Sequence, residues 1–335
     1  MRSFRRLTIW TLIAVYLLIL VGGIVRSTGS GMGCPDWPRC FGNWTPPASV
    51  SELPENYKEI YAAYRHKKNE KFAKYLSVLG MDETAEAILS DKSILEEADF
   101  NPVKTWIEYG NRIVGVIIGL LITAVFFTSL KFRKTSPALT WAAFTALMLV
   151  IFQGWIGSFV VSTNLTPWTV TVHMLLAFVI IALLAYLIDA TSESEDVNST
   201  LGVWWLAACI AVVLIQTLLG TQLREAIDMA ALALPRENWI AATGETFVTH
   251  RSFSWIVLIL HIGLIRNLRK TPGLKAFPLT LILLILGTIL TGVGLAYLSM
   301  PAFLQPLHLL LATVTFGIQF LLLLRLKRKE KAIGA

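Results

Sequence analysis

The sequence predicts an all-α membrane protein. Eight transmembrane helices form two four-helix bundles related by a parallel repeat, with one extended outer loop. Three observations predict this fold. Of 335 residues, 55% are hydrophobic and only 15% charged, where a soluble domain carries about 25% charged residues. Mean hydropathy is +0.63, and with 11 Trp and 17 Phe too little polar surface remains for a water-soluble fold. Eight separate stretches reach the roughly 20 apolar residues that a spanning helix needs. A set of signals also occurs twice, in the same order, in the two halves of the chain.

The spans are expected near residues 7–25, 106–130, 138–161, 168–188, 201–223, 246–265, 277–298 and 303–324. The first follows Arg2, Arg5 and Arg6 in the manner of a signal peptide. It is long and lacks an A-x-A cleavage site, so it is expected to be a retained helix. Basic residues recur after span two (Lys131, Arg133, Lys134), after span six (Arg266, Arg269, Lys270) and after span eight (Arg325 to Lys331). With eight spans these fall on one side, and the positive-inside rule makes that side cytoplasmic. The expectation is a multi-pass protein of the cell membrane with both termini in the cytoplasm. Residues 189–199 are acidic on the same side, but acidic residues weigh little in this rule. The net charge of +7 therefore reports topology. No basic run is interleaved with aromatics, so nucleic acid is not expected as a partner.

The one long polar stretch, about 28–101, then lies outside. Residues 51–100 hold 11 of the 22 acidic residues, and Ile60, Tyr64, Phe72, Tyr75, Leu76 and Leu79 fall at helical spacings. Two or three short amphipathic helices on the outer surface are expected. His66, among Arg65, Lys67 and Lys68, reads as solvated. Three Cys exclude a Cys-based zinc or iron–sulfur framework. Cys34 and Cys40 flank five residues just outside span one, which favours a local disulfide over free thiols or metal ligands. Cys209 is mid-span and reads as packing.

The repeat divides the chain into residues 1–190, which include the outer loop 28–101, and residues 199–327. Gly157 lies 16 residues before His173, and Gly292 lies 16 before His308. Gly22-x-x-x-Arg26 answers Gly220-x-x-x-Arg224, and Asn111-Arg112 answers His250-Arg251. Four spans per unit give both halves the same orientation, hence a pseudo-two-fold axis along the membrane normal.

Ionisable side chains inside spans are costly and mark functional sites by default. His173, His250 and His308 all lie near the outer face, His173 roughly 9 Å inside Pro167 at 1.5 Å per residue. His250 and His308 are expected to begin neighbouring antiparallel helices at similar depth. Two neutral imidazoles facing each other across a bundle suit six-coordinate heme ligation. Arg26, Arg112, Arg224 and Arg251 fall at outer helix ends, where they pair with heme propionates or snorkel to the interface. Glu108 shares a helix face with Asn111 and Arg112. It either pairs with Arg112 or faces a reacting group. His261, three turns deeper than His250, reads as structural.

These residues resemble the heme A synthase family. The resemblance rests on 22–40, Glu108-Tyr-Gly-Asn-Arg112, the His173 and His308 helices, and His250-Arg251. It covers all eight spans and leaves out residues 45–100. It implies oxidation of the C8 methyl of heme O to the formyl of heme A, for terminal oxidases. It implies a heme b cofactor ligated by His250 and His308; the place of Arg251 and Arg224 at outer helix ends makes them the expected propionate partners. It implies an N-terminal substrate heme site that matches Glu108, Asn111, Arg112 and His173. Arg112 and Arg26 are expected to hold the propionates of the substrate, and Glu108 is the expected catalytic group. The family pattern is Glu-x-x-His-Arg, so Asn111 stands where histidine is usual and His173 would hold the substrate iron alone. Heme O synthase, the cytochrome oxidase assembly machinery and further copies of the chain are compatible partners. A b-type diheme protein handling quinol is the alternative; it would need four axial histidines.

Overall fold

A computed structural model describes residues 1–163, 167–192, 200–269, 274 and 276–327. Lys270, residues 193–199 and residues 328–331, used above for topology, lie outside the described residues. The helices are α1 Arg2–Ser27, α2 Tyr57–Val78, α3 Asp82–Ser90, α4 Pro102–Ser129, α5 Pro137–Ser162, α6 Pro167–Ala190, α7 Thr200–Ala231, α8 Trp239–Ala242, α9 Glu245–Leu268, α10 Ala276–Tyr297 and α11 Leu304–Lys327. Among the described residues, eight helices are long and apolar enough to cross a membrane: α1, α4, α5, α6, α7, α9, α10 and α11.

Local chemistry sets several of these boundaries. Asn101 caps α4, its side chain accepting from the Lys104 N–H at 3.1 Å, and Pro102 fills the first turn, where no donor is needed. Pro137 starts α5 in the same way. Inside the spans, hydroxyls turn back onto their own helix. Thr8 donates to Phe4, Thr11 to Leu7 and Thr217 to Val213, each to a carbonyl four residues earlier. This satisfies them where no water is at hand.

In the first half α1 packs on α4, α4 on α5 and α5 on α6; in the second α7 packs on α9, α9 on α10 and α10 on α11, with α11 closing onto α7. Helices α1, α6, α7 and α11 meet along the middle. There Phe178 of α6 meets Phe316 of α11 edge-on at 4.7 Å. A Cβ on Gly23 of α1 would lie 2.7 Å from the Pro306 Cβ of α11, so only glycine permits that approach.

His250 and His308 do not begin neighbouring antiparallel helices. With the single span α10 between them, α9 and α11 run in the same direction. Each packs on α7 and α10, which sets them diagonally across the bundle. The first span also starts earlier than expected, taking Arg2, Arg5 and Arg6 into α1. Helix α7 runs on to Ala231, two turns past its apolar stretch. Phe4 of α1 meets Phe132 after α4 at 5.5 Å, and Arg325 of α11 lies over Phe277 of α10. The start of α1 and the end of α4 thus lie together, as do the start of α10 and the end of α11; the polar insertion joins the other ends of α1 and α4, and its side is called the cap.

The cap contains one long helix, α2, and the short α3. The buried stripe of α2 is Tyr61, Arg65, Asn69, Phe72, Ala73 and Leu76, while Ile60, Tyr64, Tyr75 and Leu79 are exposed. Polar contacts fix that register. Asn69 donates to the Ser162 carbonyl of α5 at 2.8 Å, and Phe72 stacks on Phe159 at 4.0 Å. Arg65 is fully buried and pairs with Glu97 at 2.5 Å. Burial pulls the Arg65 guanidinium below its ordinary value and pushes the Glu97 carboxyl above its own, each opposed by the charge of the other. Removing one partner strands a buried charge, at about 3–5 kcal/mol. Arg65→Met is therefore expected to open the cap to protease between residues 57 and 100 while helix content in the spans persists. Unchanged cleavage rates would contradict this account of the cap.

Candidate heme site

The second half brings its two histidines together. The His250 and His308 rings face each other with centroids 6.5 Å apart. Each leans on a glycine of the neighbouring helix. A Cβ on Gly220 of α7 would lie 3.2 Å from His250 Cε1, and one on Gly292 of α10 would lie 3.2 Å from His308 Cε1. Both exceed the crowding of most real Cβ contacts, so glycine makes the ring seats. Thr291 Oγ1 lies 2.9 Å from His308 Nδ1 and also 2.8 Å from the Gly287 carbonyl. With the hydroxyl donating to that carbonyl, it accepts from Nδ1–H, and the Nε2 lone pair stays free. Tautomers follow from the network. The two rings stand at 63° to each other, and the Gln216 amide nitrogen lies 3.3 and 3.4 Å from the two ring nitrogens of His250. Two neutral imidazoles brought together in a helix bundle suit heme iron, so His250 and His308 are the residues that would hold it. No group of three or more His, Cys, Asp or Glu able to hold a bare metal ion occurs among the described residues.

The first half repeats one close glycine seat, at Gly157, and sets Gly22 at ordinary contact distance from Asn111. A Cβ on Gly157 of α5 would lie 3.3 Å from His173 Cε1, and one on Gly22 of α1 would lie 3.8 Å from Asn111 Oδ1. Asn111 Oδ1 and His173 Nδ1 are buried with no hydrogen-bond partner among the described residues. Buried polar atoms of this kind call for a ligand or water. Asn111 faces Gly22 as His250 faces Gly220.

Glu108 is buried one turn nearer the cap. Its Oε2 accepts from the Cys34 N–H at 2.8 Å and its Oε1 from Arg112 Nη2 at 2.5 Å. Arg112 also donates to the carbonyls of Asp36, Arg39 and Cys34 at 2.6, 2.8 and 2.9 Å. Both of its terminal nitrogens are thereby engaged twice. The Cys34–Cys40 disulfide closes the loop that supplies these carbonyls. Asp36 braces the same loop by accepting from the N–H groups of Phe41 and Gly42 at 2.6 and 2.9 Å.

The remaining arginines divide. Arg26 Nη2 reaches Asp228 Oδ2 at 2.7 Å, and Arg224 Nη2 reaches Asp228 Oδ1 at 2.7 Å. Arg251 lies over the Phe247 ring at 5.4 Å and makes no salt bridge among the described residues. His261 is fully buried on the far side, donating from Nδ1 to the Val257 carbonyl at 2.6 Å and contacting Gln319.

A family model for the cytochrome oxidase assembly protein family COX15-CtaA matches residues 5–320. The chain belongs to this family. A heme A synthase of Shewanella oneidensis is 27% identical over 321 residues, covering 92% of this chain and 84% of the relative. One of Rhizobium etli is 26% identical, covering 94% and 88%. One of Lysinibacillus sphaericus is 25% identical, covering 58% and 47%.

Several residues around the histidines of this assembly-family chain escape a reading of the sequence. Gln153 and Gln216 each stand four residues before a ring-seating glycine. Each donates its amide to the main-chain carbonyl of the facing histidine, Gln153 to His173 at 2.7 Å and Gln216 to His250 at 3.0 Å. The recurring Gln-x-x-x-Gly spacing could have found them. Asp228 could have been found from its i,i+4 relation to Arg224. Gln305, which accepts from Arg224, carries no such signal.

Proposed function

We propose that this chain is a heme A synthase, a membrane enzyme that oxidises the C8 methyl of heme O to a formyl group. The observation that carries the reading is the His250–His308 pair, facing at 6.5 Å on two glycine seats, in a chain whose relatives bear that name. The pair would hold a resident heme b in the second half, residues 199–327. Heme b, when bound, supplies one-electron redox chemistry. Thr291 orients His308, and Gln216 holds the His250 segment through its carbonyl. Arg251 and Arg224 are the cations for the propionates.

The first half, residues 1–190, would take heme O. His173 would hold its iron, and Asn111, whose amide is a poor iron ligand beside imidazole, would leave the second ligand position weak or open. The matching glycines Gly22, Gly157, Gly220 and Gly292 support a parallel repeat of two four-helix units. Arg26 would contact a substrate propionate. Arg112 would contribute its charge, its terminal N–H groups being given to the Cys loop. Glu108 would hold or move the protons released as the methyl is oxidised, one turn from Asn111 on the same face of α4. The basic residues opposite the cap support cytoplasmic termini and heme sites toward the outer face.

The alternative, a diheme quinol-linked protein, needs a fourth axial histidine where Asn111 stands. The absorption spectrum of the purified protein, with chromatography of its extracted hemes, tests the reading. A low-spin heme b with heme O or heme A beside it is expected. Protein without any heme would reject both readings.

A further inference from the structure

Asp228 sits in the two turns by which α7 outruns its apolar stretch. Its carboxylate receives one guanidinium from each half of the chain, Arg26 of α1 and Arg224 of α7, at 2.7 Å on separate oxygens. The two arginines hold matching stations, four residues after Gly22 and four after Gly220. The acid does not repeat: Ser30 stands four residues after Arg26 where Asp228 stands four after Arg224. One negative charge therefore serves two positive ones. The three side chains are only 25%, 23% and 38% exposed, so solvent screens them incompletely.

We infer that Asp228 is a shared counter-ion that couples the charge of the N-terminal heme site to the resident heme b. The inference rests on the reading of Arg26 and Arg224 as propionate partners. A positive charge near a heme favours its reduced state, because reduction adds an electron. Asp228→Asn removes a negative charge and raises the heme b potential. Arg26→Gln removes a positive charge and lowers it, although Arg26 belongs to the other half. The double variant restores the charge and returns the potential to the wild-type value. A contact that merely tied α1 to α7 would be loosened in all three variants, with shifts of one sign or none.

The experiment is a spectroelectrochemical titration of heme b in the purified full chain, with heme content confirming an intact site. Each single variant is expected to change the reduced-to-oxidised ratio at fixed potential about tenfold, near 59 mV for one electron. The two singles shift in opposite directions and the double variant lies near zero. Asp228→Glu keeps the charge and holds the wild-type potential. Shifts of the same sign, or a double variant that keeps a single variant's shift, would overturn the coupling. A wild-type chain without heme b overturns the reading of the site as well, which a shift of the wrong sign does not.

Discussion

Replacing His308 with alanine is expected to remove nearly all heme b from the purified protein, and His250→Ala to do the same. The two rings lie 6.5 Å apart on diagonal helices, and each would supply one ligand to the heme iron. With one imidazole removed, any heme that stays bound would be expected to lose its low-spin spectrum. Thr291→Val is the graded companion. It removes the acceptor that fixes the His308 tautomer while keeping the size of the side chain. Losses of outer-shell partners of this kind cost about 10–100-fold in affinity. The expected order of heme b retention is wild type, then Thr291→Val, then either histidine variant. Histidine variants that keep a wild-type low-spin spectrum would remove both residues from the site.

Glu108→Gln is expected to slow heme A formation about 10²–10⁴-fold, the usual worth of a positioned acid or base, while heme b stays in place. The substitution keeps the shape and removes the carboxylate. Its effect also has a structural component. One end of the glutamine becomes an N–H donor, and it must face either the Cys34 N–H or the Arg112 guanidinium, both donors. The loop closed by Cys34 and Cys40 would then sit less firmly on α4. Heme analysis separates the two contributions. Accumulation of heme O or a hydroxylated heme with heme b intact supports the chemical role. Normal production of heme A with heme b intact would leave Glu108 as an anchor for the Cys loop.

The fold was legible where the sequence had to meet the membrane. All eight spans follow from apolar length, because a bilayer imposes that length on each helix separately. The disulfide was legible from two Cys with five residues between them, just outside a span. The relation between helices was not. Diagonal placement of α9 and α11 depends on which faces pack, and single-span hydropathy is silent about faces. The register of α2 was not legible because its buried stripe includes Arg65 and Asn69, polar residues that Glu97 and the Ser162 carbonyl meet. At the site, His173, His250 and His308 stood out by chemical type and by their place near the outer ends of the spans. Their seats were half visible, since the 16-residue Gly-to-His spacing appears twice but the contact of glycine with ring does not. The engagement of Arg112 by three loop carbonyls and of Arg26 by Asp228 is tertiary, and no local spacing announces it.

We propose that this chain makes heme A from heme O. The most direct test is chromatography of hemes extracted from cells that make heme O but lack their own heme A synthase, with and without this chain. The account predicts that heme A appears when the chain is present, and that heme O accumulates again with His173→Ala. Heme O left unchanged by a chain that is folded, membrane-inserted and loaded with heme b would contradict it.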